Sequence, residues 1–391
     1  MKICVLLEGK TNCLRGEFLA IHNRMKYLVK DPSVSVTIYN IQRYYDNLTN
    51  RIRGNKQIEL KKDFVLDGIH YHCLYYKRSY LDYFMRSISN YQTTIEVKRV
   101  KHYENLFTDC DLIFAHSLYT GLIALDLKQK NGISFVMMWH GSSIHTMPFQ
   151  NKTTFTLTKK VLQNTNYSFF VSKELFETAN QIVGSECVGS VSPNGIDTEV
   201  YYCYDDNKRE KTAESLQIDL GKKNVAFIGN YLPIKNVKYL PMLFSSIYKD
   251  NKETCFHIIG NGDFVGDFKG LDLPITFWGN QLPDKMPDLY NCMDLIVLPS
   301  INEGLPMTCL ESTACGTAFV GSRVGGIAEV VGVDNTVPLS PTFETDFANL
   351  CKEKLANKDV KFVQLSEQYR VEHVVAMEKK VLEEVLNGEG I

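Results

Sequence analysis

Short apolar runs alternate with helix-length segments through the first half of the chain. Lys2–Leu7, Val34–Tyr39, Leu112–Ala115 and Phe135–Trp139 read as strands, and residues 14–30 and 118–130 carry apolar positions at helical spacing. The second half starts the same rhythm afresh. Val225–Gly229 predicts its first strand and Phe256–Gly260 another, while Leu295–Leu298 is apolar at every position, the pattern of a strand covered on both faces. Residues 366–388 predict a long terminal helix, with Val371, Val374, Val375, Leu382, Val385 and Leu386 along one side. Strands alternating with helices predict an α/β chain of parallel sheets wound on both faces, and the restart near residue 223 predicts two of them.

Between the two series, Phe169–Ser172 closes the first and Ser192-Pro193-Asn194-Gly195-Ile196-Asp197 is turn chemistry. The polar run Asp205–Ser215 reads as a linker. Residues 41–107 break the rhythm and are rich in Tyr, Lys and Arg, as in Tyr71–Tyr80. Two readings of that stretch stand side by side: a solvated hairpin plus helix, or a basic aromatic patch for a membrane surface.

The length of 391 residues suits two domains, and 44% hydrophobic with 23% charged residues excludes a mainly disordered or fibrous chain. No apolar stretch approaches the ~18–20 residues of a spanning helix. Glu8 interrupts the first strand before a signal-peptide core forms. Eleven scattered cysteines without a Cys-x-x-Cys pair point to a reduced chain rather than a disulfide framework, and the cysteines and histidines show no zinc spacing. The expectation is a cytoplasmic protein, peripheral at the inner face of the cell membrane if it meets a membrane at all. The net charge of -2 hides an asymmetry. Residues 1–150 hold 20 Lys+Arg against 13 Asp+Glu, and the remainder 23 against 32, so two domains with different partners are expected. No basic-aromatic module of a nucleic-acid binder is present.

The stretch that carries chemistry is Leu298–Gly316. A buried strand ends at Pro299, a short loop carries Glu303, a helix starts near Pro306, where proline suits a first helical position, and Gly316 is placed to end it. That puts a helix N-terminus at the carboxyl end of a parallel strand, where doubly wound folds bind ligands. Backbone N–H groups near Leu305, Met307 and Thr308, with the helix dipole, would receive a phosphate. Glu303 and Glu311 flank it, and carboxylates suit vicinal hydroxyls. The pattern points to a nucleotide-sugar.

Taken together, these residues resemble the retaining GT-B glycosyltransferases of family 4. That family has a Pro-Ser-x-x-Glu-Gly frame with a second glutamate eight positions beyond the first and a glycine closing the helix. Here it reads Pro299, Ser300, Glu303, Gly304, Glu311 and Gly316. The resemblance continues through Trp278-Gly279, Tyr290, Asp294 and Gly325-Gly326-Ile327-Ala328-Glu329, and upstream through Gly260-Asn261-Gly262, Val171-Ser172 and Pro193–Asp197. It covers about 110–391 well and 1–40 loosely.

The resemblance implies a GT-B fold, two Rossmann-like doubly wound parallel-sheet domains facing across a cleft. The expected divisions are an acceptor-binding domain over 1–195, a linker over 196–222, a nucleotide-sugar-binding domain over 223–365 and a terminal helix over 366–391 packing back toward the N-terminal domain. Glu303 would contact the donor sugar and Glu311 the ribose diol, and backbone at Gly304, Leu305, Pro306, Met307 and Thr308 would hold sugar and phosphates. Lys235 would neutralise the leaving diphosphate. Asn230 stands where the family usually has arginine, so it supplies a hydrogen bond without a charge. His140 at a strand end would sit near the donor sugar and come against Glu303 on domain closure, with His116 at the preceding strand end. Gly9, Arg15 and Gly16 correspond to a loop that touches acceptor and diphosphate. The Asp-x-Asp form at Asp109-Cys110-Asp111 is set aside because it precedes its strand, away from the diphosphate elements.

The expected activity is retaining transfer from a UDP- or GDP-linked sugar to an acceptor hydroxyl, with no metal and no cofactor. The expected acceptor is a glycan or lipid-linked glycan of bacterial surface polysaccharide or glycolipid synthesis, with an anionic membrane surface as a further partner. A GT-B nucleotide-sugar epimerase, a retaining phosphorylase and a non-catalytic sugar-binding or scaffold subunit are the rival readings.

Overall fold

In the computed structural model, which describes residues 1–8, 16–45, 50–51, 63–78, 100–356 and 364–388, two largely parallel sheets form around central strands that are apolar on both faces. The first contains β1 (Lys2–Leu7), β2 (Ser35–Tyr45), β3 (Phe64–Leu66), β4 (Ile69–Arg78), β5 (Leu112–Ala115), β6 (Ser134–Trp139), β7 (Tyr167–Phe170) and β8 (Gly189–Val191). Its order is β3-β4-β2-β1-β5-β6-β7-β8. The second contains β9 (Lys223–Ile228), β10 (Thr254–Ile259), β11 (Ile275–Gly279), β12 (Leu295–Leu298), β13 (Ala318–Ser322) and β14 (Thr336–Val337), in the order β11-β10-β9-β12-β13-β14. Read from its first strand, each sheet follows the doubly wound 3-2-1-4-5-6 order, with the chain reversing direction beside β1 and beside β9. Phe135–Trp139 and Leu295–Leu298 are fully buried, because helices cover both faces of a parallel sheet.

The departure from an all-parallel sheet is β3, which pairs antiparallel with β4 at the edge. Asp67 and Gly68, at φ +48° and +78°, form the tight turn between them, a backbone conformation that aspartate and glycine tolerate. This hairpin occupies part of the stretch 41–107 that broke the sequence rhythm. β2 runs on to Tyr45 and β4 pairs with it in parallel, so the aromatic run at Tyr71–Tyr76 is largely sheet interior. Residues 79–99 lie outside the described residues.

The chain forms two compact units, Met1–Pro193 with Glu372–Ile391, and Asn194–Val371. The stretch 196–222, expected as a linker, lies within the second unit. Its polar helix Asp206–Leu216 is capped by the Asp205 side chain, and it is anchored rather than free. Arg209 Nε donates to Asn291 O at 2.9 Å, and the Tyr204 hydroxyl donates to Asp288 at 2.8 Å.

Within the first unit, Arg24 is wholly buried on the helix Glu17–Leu28. Its guanidinium donates to Glu378 Oε1 at 2.9 Å and to Pro193 O at 2.7 Å. The Ser192 hydroxyl donates to the same carboxylate. One ion pair therefore joins the first helix, the end of β8 and the terminal helix Val371–Asn387. The terminal helix also meets the loop after the first helix through Lys379 and Asp31.

Removing one member of a buried pair leaves an unbalanced charge in the core. Glu378→Ala is expected to lower the stability of the first unit by roughly 3–5 kcal/mol. Chemical denaturation followed by a probe in that unit would read the loss, and an unchanged midpoint would refute it.

Candidate active site

The second unit's site follows from where β12 stops. After Leu298 the chain leaves the sheet, passes through Glu303 and re-enters regular structure at the helix Met307–Ala314, with Pro306 as its N-cap and no side chain capping it. Uncapped first-turn amides and the helix dipole together make an anion receptor. The helix stops at Cys315, followed by Gly316 at φ +71°.

The loop is held from three sides. Asn194 Nδ2 donates to Leu305 O at 2.7 Å, Gly326 N donates to Gly304 O at 2.7 Å, and Ile301 N donates to Ile234 O at 2.8 Å. The last bond couples the Glu303 loop to the loop after β9. Gly325, at φ +56°, lies so close that a Cβ there would stand 2.4 Å from both Glu303 O and Gly304 O. Gly325 and Gly326 of the sequence pattern thus serve to seat the Glu303 loop.

Lys235 Nζ donates to Glu303 Oε1 at 2.6 Å, with side chains 20% and 11% exposed. Two of the residues singled out in the sequence, 68 positions apart, meet as a charge-assisted hydrogen bond. Asn230, also on the loop after β9, accepts from Asn261 N at 3.3 Å, which ties that loop to the loop after β10. A Cβ on Gly260 would fall 1.9 Å from Gly229 O, so these two loops approach backbone to backbone.

Glu311 is buried on the first turns of its helix. Burial pushes its carboxyl up from the usual range, opposed by hydrogen bonds from Tyr290 and Tyr201. The Tyr290 hydroxyl donates to Oε2 at 2.6 Å. Tyr290 belonged to the sequence pattern, whereas Tyr201 was missed. It sits in the stretch expected as a linker, where no periodicity marked it. Trp278 and Asp294 have structural roles: the indole donates to His257 at 3.1 Å, and Asp294 accepts from Asn224 N at 2.7 Å.

In the first unit, His116 and His140 follow the neighbouring strands β5 and β6. Their rings stack at 5.5 Å, with His116 Nδ1 and His140 Nε2 3.1 Å apart. Burial, with Arg24 nearby, lowers His116 to about 3. Burial, His116 and Arg24 hold His140 well below its ordinary value. Both rings are therefore neutral, sharing one hydrogen bond, and His116 Nε2 and His140 Nδ1 are buried without a hydrogen-bond partner.

Gly16 caps the helix Glu17–Leu28 at φ +53°, while Gly9 and Arg15 lie outside the described residues. Asp111 and Asp109 bind Lys2, through its backbone N–H at 2.7 Å and its ammonium at 3.3 Å, and so pin the starts of β1 and β5 together.

Comparison with known proteins bears on this geometry. Residues 222–357 match the family model Glycosyl transferases group 1, a segment that contains Lys235, Glu303 and Glu311. A stretch of 233 residues is 25% identical to the Bacillus subtilis protein named "Putative teichuronic acid biosynthesis glycosyltransferase TuaC", covering 59% of this chain and 58% of that protein. A stretch of 161 residues is 27% identical to D-inositol 3-phosphate glycosyltransferase of Corynebacterium glutamicum, covering 38% of each chain. The chain thus spans under two thirds of the length of these relatives. Among solved structures, sucrose-phosphate synthase from Thermosynechococcus elongatus superposes with a TM-score of 0.72 at 15% identity, over 99% of this chain and 100% of that one. Anabaena HepE in complex with UDP and glucose gives 0.69 at 15% identity, over 98% and 99%. These likenesses establish the fold, the two Rossmann-like domains of the GT-B class.

Two outcomes follow from this geometry. Because the buried histidines are neutral when folded but titrate near ~6.5 when unfolded, their contribution to stability is intact above that pH. It is lost as pH falls toward the lowered folded value, by up to about 1.4 kcal/mol per pH unit for each ring. His116→Gln should therefore flatten the fall in first-unit stability between about pH 7 and about pH 5, measured by denaturant titration at each pH. Gly325→Ala should displace the Glu303 loop and destabilise the second unit by roughly 1–3 kcal/mol. A melt indistinguishable from wild type would refute the second expectation.

Proposed function

We propose that the chain is a retaining glycosyltransferase that moves a sugar from a nucleotide diphosphate sugar to an acceptor hydroxyl. The observation that carries the reading is the set on the loops after β9 and β12: the Lys235–Glu303 pair, the uncapped helix start at Met307, and buried Glu311 with its tyrosine donors. The match of residues 222–357 to group 1 glycosyl transferases supports it, as does the relatedness to a protein named for teichuronic acid biosynthesis.

In this reading, the first-turn amides at Met307 and Thr308 and the Lys235 ammonium receive the diphosphate. Negative charge grows on the leaving oxygen as the glycosidic bond breaks, and these fixed donors stabilise it without reorganising. Glu303 is placed for the sugar hydroxyls. Glu311 accepts from the ribose diol with the lone pairs that the tyrosines leave open. The departing phosphate oxygen takes the acceptor proton, so no carboxylate nucleophile is required, and transfer proceeds on one face with retention. His140 and His116 are assigned to the catalytic surroundings as neutral hydrogen-bonding groups. Gly9, Arg15 and Gly16 are assigned to the acceptor side. The reaction needs no metal. The acceptor is a glycan or lipid-linked glycan of a bacterial surface polymer. Among the described residues no helix is long and apolar enough to cross a membrane.

Thermal denaturation of the full chain with a panel of UDP- and GDP-sugars tests the donor site. A donor that binds only the folded state raises stability by about 2.7 kcal/mol at a hundredfold excess over its Kd. One member of the panel should stabilise the wild type and lose that effect in Glu311→Gln. Lys235→Ala should weaken nucleotide diphosphate binding by roughly 10–100-fold, the worth of a charge-assisted hydrogen bond. With the identified donor, NMR of the anomeric proton in the product reads retention directly. His140→Ala should abolish turnover while leaving donor binding in place. No stabilisation by any nucleotide from well-folded protein would refute the enzymatic reading.

A further inference from the structure

We propose that Asp63, His70 and His72 form a divalent transition-metal site at the edge of the first unit's sheet, independent of the glycosyl-transfer reading. His70 and His72 are two residues apart on β4, so they project from the same face of the strand. The antiparallel register that pairs Phe64 with Tyr71 and Val65 with His70 sets Asp63, just ahead of β3, opposite His72. The hairpin thus gathers on one face three groups that no sequence spacing announces.

The geometry suits a metal ion. His70 Nδ1 and His72 Nε2 are 3.3 Å apart, and His72 Nδ1 and Asp63 Oδ2 are 2.9 Å apart. One donor atom from each residue lies within 4.8 Å of the others. An ion with bonds of about 2.0–2.2 Å holds its ligand atoms roughly 3–3.5 Å apart, so it takes one His72 nitrogen in place of one of these two contacts, and a small side-chain rotation brings in the third ligand from within 4.8 Å. The carboxylate is already oriented, because its other oxygen accepts from Cys73 N at 2.9 Å. The Tyr39 ring lies beside His72 at 5.4 Å and limits its freedom. Both are the kind of support that ligating side chains need from their surroundings.

Two imidazoles and a carboxylate make a borderline donor set, suited to Zn²⁺, Co²⁺ or Ni²⁺ and poorly suited to Mg²⁺ or Ca²⁺. All three side chains reach solvent, so water completes the coordination. The histidines sit in the first half of β4, whereas His116 and His140 follow the carboxyl ends of strands parallel to it. The ion therefore belongs to the opposite end of the sheet from that pair. Its role there is structural: it clips the edge hairpin to itself and ties down the chain entering β3.

The test uses full-length protein stripped with a chelator and titrated with Co²⁺. Tetrahedral or five-coordinate visible bands should appear at one ion per chain without a sulfur-to-cobalt charge-transfer band, and Zn²⁺ should abolish them by competition. His70→Ala and Asp63→Asn should each weaken binding by roughly 10–100-fold. Zn²⁺ should raise the melting midpoint of wild type and leave His70→Ala unmoved. Because the substituted side chains are exposed, wild type and variants should melt alike in chelator, which separates lost binding from lost folding. Binding equal in wild type and variants, or a charge-transfer band, would assign the metal to cysteines and overturn the proposal. No binding by folded wild type would reduce the three residues to a hydrogen-bonded chain and overturn it as well.

Discussion

A strand that is parallel to both neighbours and roofed by helices on both faces has no room for an unpaired polar side chain. Burying one without a partner costs on the order of 1–3 kcal/mol, and an unpaired charge costs more. β6 and β12 obey this at every position from Phe135 to Trp139 and from Leu295 to Leu298. Polar chemistry is therefore expelled to the strand ends. At the carboxyl ends it meets the start of the next helix, where unbonded amides already favour negative charge. His116 and His140 stand there in the first unit, and Lys235, Asn230 and Glu303 stand there in the second. Each unit's candidate residues are collected by the same rule acting on a different sheet.

The same rule explains how much could be read from the chain alone. Leu295–Leu298 followed by Pro299, Glu303, Pro306 and Gly316 encodes strand, loop, helix start and helix stop within one short segment. Every signal in it is local, and the structure follows it to within a residue or two. The two-sheet organisation was legible for the same reason, since apolar runs and helical spacing are properties of consecutive residues.

What escaped was either long-range or disguised by composition. Asp206–Leu216 is almost wholly polar, and polarity alone reads as linker. Its helix is fixed by contacts with residues some 80 positions away, Arg209 with Asn291 and Tyr204 with Asp288. Arg24 carries no mark that separates it from a surface arginine, yet it is wholly buried because Glu378, 354 residues on, supplies its counter-charge. The residues expected on the acceptor side, Gly9 and Arg15, belong to a stretch that the structure does not describe, so their assignment stands on the sequence. Tyr201 reaches Glu311 from a segment with no periodicity. In each case the deciding partner is remote in sequence, and hydropathy patterns carry no information about remote partners.

The Lys235–Glu303 contact balances charge between the loops after β9 and β12. Without a counter-ion, Lys235 would carry an uncompensated charge into a region mostly screened from water. Glu303 supplies that compensation at 2.6 Å while remaining on a loop whose position is set by Ile301, Gly325 and Gly326. With asparagine at position 230, the loop after β9 offers a hydrogen-bonding side chain there and no charge. Under the proposed function, more of the electrostatic work then falls on Lys235 and on the amides at Met307. Strength in such a site comes from donors that are already in place when charge develops, not from the number of formal charges. The bond from Ile301 to Ile234 joins the two loops that carry those groups. It makes their relative position depend on the neighbouring strands β9 and β12 from which both loops leave.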